Sequence, residues 1–210
     1  MVSILIDIGC FNAITKSQTL HLLKKKHKNH KWYGYMIEPN PYLEDDIKKT
    51  LLGLDYSYHQ IGISDEDGEA DFYIGKYGFE NRRQPKQINK CMRSSLCYDK
   101  DYIKEHLSDN KINIKVNKLK TFILENKIKK IDLLKIDTEG KDYDIILEYF
   151  KNPIILPKII ITEDVVRGDN VESQLLIAET KKRLLIKNNY EYYKVDDYNS
   201  KYILKNDEDV

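Results

Sequence analysis

Cysteine is scarce in this chain. Cys10, Cys91 and Cys97 are odd in number and lack Cys-x-x-Cys spacing, which excludes a disulfide frame and a cysteine zinc site. They read as reduced thiols, and predict a cytosol-like, cytoplasmic setting. Histidine is equally uninformative for metals: His21, His27, His30, His59 and His106 show no ligand spacing. No apolar run approaches the ~18 residues of a membrane span, so no transmembrane helix is expected. The N-terminus has no basic region followed by an apolar run and a small-residue cleavage site, so no secretory signal is expected either. Excess charge of one sign is also missing. Lys and Arg number 35, Asp and Glu 34, for a formal net charge of +1. A dedicated nucleic-acid binder usually carries a marked basic excess, so no nucleic-acid partner is expected. Arginine is scarce beside lysine.

What is present is concentrated near the N-terminus. Ile4-Leu5-Ile6-Asp7-Ile8-Gly9 is a buried-strand pattern closing on an acid and a glycine. Tyr35-Met36-Ile37-Glu38-Pro39 is a second apolar strand closing on a carboxylate. Such a pair builds a nucleoside pocket in an open α/β sheet: the glycine allows close backbone approach, and the second carboxylate accepts from ribose hydroxyls. A dinucleotide site would need further glycines to seat its pyrophosphate. Here Cys10, Phe11, Asn12 and Ala13 fill those places. S-adenosylmethionine carries no phosphate, and its ammonium and sulfonium favour a carboxylate such as Asp7. The competing reading is an ordinary βαβ turn.

At 210 residues the chain predicts one domain with a three-layer core. Its first strand starts almost at Met1, which predicts a domain excised from a longer polypeptide. Helices are predicted over Thr15–His27, Tyr42–Leu52, Leu119–Asn126 and Glu172–Lys187, with another including Ile145–Phe150. Strands are predicted over Trp32–Ile37, Tyr56–Ser64, Glu69–Ile74, Ile112–Val116, Ile131–Ile136 and Pro157–Thr162, followed by an antiparallel pair over Tyr190–Val195 and Lys201–Lys205. This alternation implies a mostly parallel sheet covered on both faces. Tyr77–Asn110 reads as an irregular insertion, and a long insertion of that kind is usually functional or disordered. Its Arg82, Arg83 and Arg93 are candidate acceptor contacts or simply exposed side chains.

Two acidic clusters close neighbouring central strands: Asp137-Thr138-Glu139-Gly140 and Glu163-Asp164. Ligands of open α/β sheets bind outside these strand ends. One carboxylate could serve as general base toward a hydroxyl. Alternatively Asp137, Glu163 and Asp164 could hold a divalent cation, Mg or Mn by their oxygen donors. The bland reading makes them turn residues and helix caps.

The order of motifs resembles the FkbM family of methyltransferases. The matching segments are Ile6-Asp7-Ile8-Gly9 with Asn12-Ala13, Ile37-Glu38-Pro39-Asn40-Pro41, Gly62-Ile63-Ser64-Asp65 with Gly68 and Phe72-Tyr73-Ile74, Ser94-Ser95-Leu96, and Ile131 through Gly140. The resemblance implies a class I methyltransferase (Rossmann-like) α/β fold. Its sheet would be mostly parallel and seven-stranded, with helices on both faces and an antiparallel edge strand. It also implies S-adenosylmethionine-dependent O-methylation, often of a sugar. Asp7, Gly9, Asn12, Glu38 and Pro39 carry over as cofactor contacts, and Ser64 and Asp65 as residues near the adenine. Asp137, Glu139 and Glu163 stand as candidate catalytic residues. The expected acceptor is a sugar hydroxyl of a glycan or glycoconjugate, with an adjacent glycosyltransferase domain as a possible partner. RNA 2′-O-methylation is the rival activity. It would want a catalytic lysine, and Lys135 is expected to point into a helix layer instead. A binding module that has lost catalysis is the third reading.

Overall fold

The computed structural model describes residues 2–11, 18–24, 31–75, 94–96, 107–164 and 171–205. The apolar run after Met1 forms β1 (Val2–Ile8), followed by α1 (Gln18–Lys24) and β2 (Lys31–Ile37). Pro41 starts a single 3-10 turn over Pro41–Leu43, and Asn40 caps it through its side chain. This turn leads into α2 (Glu44–Thr50). Then come β3 (Tyr56–His59), β4 (Gly62–Ser64), β5 (Gly68–Gly75), β6 (Leu107–Lys118), α3 (Leu119–Glu125), β7 (Leu133–Ile136), α4 (Asp142–Lys151), β8 (Ile159–Glu163), α5 (Val171–Lys187), β9 (Tyr190–Lys194) and β10 (Asn199–Leu204).

Seven strands form the main sheet in the order β3-β2-β1-β7-β8-β10-β9. The first five are mutually parallel; β10 runs antiparallel to both β8 and β9. The fold is therefore the expected class I methyltransferase α/β sheet. Alternation along each strand sorts side chains to two faces. Ile6, Ile8, Leu134, Ile136 and Ile160 pack with Phe122, Ile145, Tyr149 and Leu185 from α3, α4 and α5. Leu5, Met36, Leu133 and Ile161 pack with Leu23, Leu43 and Ile47 from the α1–α2 side.

Two strand assignments differ from the sequence expectation. Tyr56–Ser64 is not one strand. It divides into β3, which joins the main sheet, and β4, which pairs with β6 in a separate three-stranded sheet of order β4-β6-β5. The side sheet buries its own small cluster of Phe72, Ile74, Ile114 and Val116. The strand expected over Ile112–Val116 extends back to Leu107, so residues 107–110 belong to regular structure. Long antiparallel pairing with β5 supplies the backbone partners that local composition did not announce.

Candidate active site at the carboxyl ends of the strands

The chain leaves β1 through Gly9, whose φ of +75° lies in the left-handed region. A Cβ at this position would stand 1.9 Å from the Asp137 carbonyl oxygen, so the turn after β1 presses directly on the end of β7. The amides of Gly9 and Cys10 both donate to the Ile37 carbonyl, at 2.9 and 3.1 Å. Phe11, also left-handed at φ 48°, aims its own amide at Glu38. Three strand ends are thereby drawn together, by backbone contacts and by the Glu38 carboxylate.

Glu38 lies at the centre of this convergence and is buried. One carboxylate oxygen accepts from the Phe11 amide and the other from the Asn40 amide, each at 3.0 Å. Burial lifts its carboxyl to about 7. The two amide donors oppose that rise, and the charges of Asp7 and Asp137 add to it. Tyr58 donates its hydroxyl to the Glu38 carbonyl. The neighbouring Cys10 thiol is pushed well up by burial and by Asp7 and Glu38, which makes it a poor nucleophile.

Asp7, Lys135 and Asp137 form a second group. β1 and β7 align Asp7 opposite Lys135, and Asp137 follows two residues on, so all three share one face. Lys135 Nζ lies 3.4 Å from Asp7 Oδ1 and 3.2 Å from Asp137 Oδ2. This corrects the expectation that Lys135 points into a helix layer away from the site. Burial alone would lower the Lys135 ammonium, but the two carboxylates more than offset it and hold it above its ordinary range. The Asp7 side chain is fully buried, whereas that of Asp137 is 37% exposed. Asp137 is thus the member of the trio open to an incoming group.

The remaining site residues surround these two groups. Ser64 donates to Asp65, and Lys141 binds Asp65 at 2.9 Å. Burial would raise the Asp65 carboxyl, but the Lys141 ammonium overrides it and leaves Asp65 below its usual value. Pro39 is half-buried beside Glu38. Glu139 sits in a left-handed turn at φ 51°, before Gly140 at φ 120°. Ser95 donates its hydroxyl to the Glu139 carbonyl at 2.8 Å, while Ser94 accepts from Asn40 and from the Gly75 amide. This serine pair joins the end of β2 to the end of β7. Asn12, Arg82, Arg83 and Arg93 lie outside the described residues.

The carboxylates expected to hold a divalent cation do not assemble for it. Glu163 ends β8 on the same alternation as Ile161, toward the Asp137 face. Asp164 alternates to the other face, where Lys181 approaches it to 2.5 Å and Ser200 hydrogen-bonds to it. Asp137 is taken by Lys135. Among the described residues no group of three or more acidic, histidine or cysteine side chains could hold a metal ion. The donor set does not fit a metal centre.

It does fit a cationic nucleoside. Asp7, Glu38 and Asp137 bring carboxylates to three adjacent strand ends, with the Lys135 ammonium beside Asp7 and Asp137, and the sequence after Gly9 lacks the further glycines that a pyrophosphate turn needs. The sequence pattern of the methyltransferase FkbM domain matches residues 9–192. The chain belongs to this family. S-adenosylmethionine is the cofactor expected of a methyltransferase family. Among solved structures, methyltransferase FkbM from Methylobacillus flagellatus KT superimposes with a TM-score of 0.52 at 12% identity, over 97% of this chain and 44% of that one. The FkbM domain described here therefore spans less than half of that relative. A proposed rRNA-methylase from Clostridium thermocellum gives 0.50 at 10% identity, over 97% and 87% of the two chains. At these identities the likeness is one of fold. No curated protein matches the chain.

Sequence reasoning missed three contributors. Lys135 could have been found from its i, i+2 relation to Asp137, which places both on one strand face. Asn40 carried a cap signal, standing just before Pro41. Ser95 gave no signal of its role, because its partner Glu139 lies 44 residues away.

Proposed function

We propose that this domain transfers a methyl group from S-adenosylmethionine to a sugar hydroxyl of a glycan or glycoconjugate. The observation that carries the reading is the partly exposed Asp137 carboxylate at the strand ends that also hold the buried Glu38, with Lys135 between Asp137 and Asp7. S-adenosylmethionine supplies the electrophilic methyl carbon, and the hydroxyl oxygen displaces its sulfur. Glu38 accepts from the ribose hydroxyls, with Pro39 and the Gly9 backbone shaping the pocket wall. Asp7 lies toward the methionine end and Ser64 with Asp65 toward the adenine, and Asn12 is a further cofactor contact. Asp137 takes the proton of the attacking hydroxyl, and Lys135 offsets the charge of the two neighbouring carboxylates. Glu139 and Glu163 border the acceptor, and Arg82, Arg83 and Arg93 are its further candidate contacts. Residues 1–210 act as a single domain in the cytoplasm, beside a glycosyltransferase domain that prepares the acceptor.

One observation favours a second reading. Lys135 lies in the site, as RNA 2′-O-methylation would want; the formal net charge of +1 still supports the sugar over a polyanion. Labelled methyl transfer to a panel of methyl glycosides and to short RNA separates the two. Asp137→Asn should lower turnover by at least ~100-fold, the usual contribution of a general base, with adenosylhomocysteine affinity retained. Wild-type turnover should persist in EDTA. Full activity of Asp137→Asn would remove its role, and loss in EDTA with recovery in magnesium would restore the metal reading.

A further inference from the structure

Behind the strand ends lies a buried polar chain that the proposed chemistry does not use. Thr138 donates to Asp142 Oδ2 through its amide at 3.1 Å and its hydroxyl at 2.7 Å. The other Asp142 oxygen accepts from the Thr162 hydroxyl at 3.3 Å. Lys181 of α5 donates to that hydroxyl at 3.1 Å and to the Glu163 carbonyl at 2.7 Å, and approaches Asp164 to 2.5 Å. Thr162 is fully buried, Lys181 is 2% exposed and Asp142 6%.

Burying a lysine and an aspartate in an apolar layer is costly unless every bond they need is made. A helix that served only to cover the sheet could present leucine at position 181, as it does at the neighbouring buried Leu185. The charged groups instead bind the backbone at two places: the Thr138 amide, directly after Asp137, and the Glu163 carbonyl, at the end of β8. Two carboxylates of the proposed acceptor site, Asp137 and Glu163, are thereby adjacent to or part of residues whose backbone this chain holds.

We propose that Asp142, Thr162 and Lys181 are positioning residues that lock the ends of β7 and β8 against each other, and so align Asp137 and Glu163 with the acceptor hydroxyl. The importance of that alignment rests on the methyl-transfer reading above; the lock itself does not. In-line displacement is sensitive to small misplacements of the reacting groups, so slack here would lower turnover while leaving the Glu38 pocket intact.

Amide hydrogen exchange on the ligand-free chain tests the lock without an acceptor. Thr162→Val removes the hydroxyl at nearly constant shape, and exchange over residues 136–140 should rise about tenfold, the scale of one to two lost buried hydrogen bonds. Thr162→Ser should restore protection. Lys181→Met, connected to Thr138 through Thr162 and Asp142, should produce the same local rise and carries the test if Thr162→Val does not fold. In each variant β2 should keep its protection and adenosylhomocysteine its affinity. Unchanged exchange over 136–140, or a rise shared equally by β2, would overturn the lock. If the local rise is seen and the wild-type protein methylates no methyl glycoside, the lock stands and the sugar reading falls.

Discussion

The proposed ribose contact places two opposing demands on Glu38. Ribose hydroxyls are best bound by an ionised carboxylate, yet burial favours the neutral form and lifts this group from 4.5 to about 7. As pH rises from 4.5 to 7, the folded chain keeps a proton that the unfolded chain has released. Stability therefore falls across that window, by an amount on the order of 3 kcal/mol, and levels off above it. Ligand binding has the opposite sign. Adenosylhomocysteine affinity should increase as pH passes through about 7, because the bound state prefers the ionised carboxylate. Titration calorimetry across that range checks it, with Glu38→Gln expected to flatten the profile. Glu38→Ala should weaken binding by about 1.5–3 kcal/mol, the range for hydrogen bonds to a charged group. A pH-independent affinity in the unaltered chain would separate Glu38 from the ribose.

The decisive element-scale feature is the junction of β1 with β7. Their register sets Asp7 opposite Lys135, and the turn after β1 touches the end of β7 at Gly9. Two glycines allow the backbone and the contact to be told apart. Gly53 is equally left-handed, at φ +80°, but a Cβ there would meet open space. Gly53→Ala should cost only the conformational penalty of about 1–2 kcal/mol. Gly9→Ala carries that penalty and a collision with the Asp137 carbonyl. Its destabilisation should exceed that of Gly53→Ala by about 1 kcal/mol or more. Urea denaturation measures both. Equal losses would mean that the β1 turn and the β7 end separate without cost, and that Asp137 is not held from behind Gly9.

For the whole molecule, the consequence is linkage between the pocket and global stability. The proposed cofactor site draws on the ends of β1, β2 and β7, so a ligand bound there would hold distant segments together. Adenosylhomocysteine at roughly 100 times its dissociation constant should raise unfolding free energy by about 2.7 kcal/mol. If residues 1–210 form one domain, thermal unfolding should show one transition that moves as a unit. A second transition insensitive to ligand would assign the β4-β6-β5 sheet to a separate cooperative unit.

The alternation of apolar strands and helices, the Asp-x-Gly turn and the carboxylates closing the strands were all legible in the sequence. Each depends on residues close together in the chain, where periodicity and backbone preference act directly. The α/β architecture followed from them, and the order of the motifs carried the resemblance to the family. Tertiary structure decided the partners. Lys135 meets Asp7 only because β1 and β7 pair in one register across 128 residues. Asp164 turns away from Asp137 because strand alternation sends it to the face where Lys181 lies. Ser95 reaches Glu139, and Tyr56–Ser64 divides between two sheets, for the same reason: pairing between remote segments assigns each side chain its face and its neighbours, and no local pattern encodes that choice.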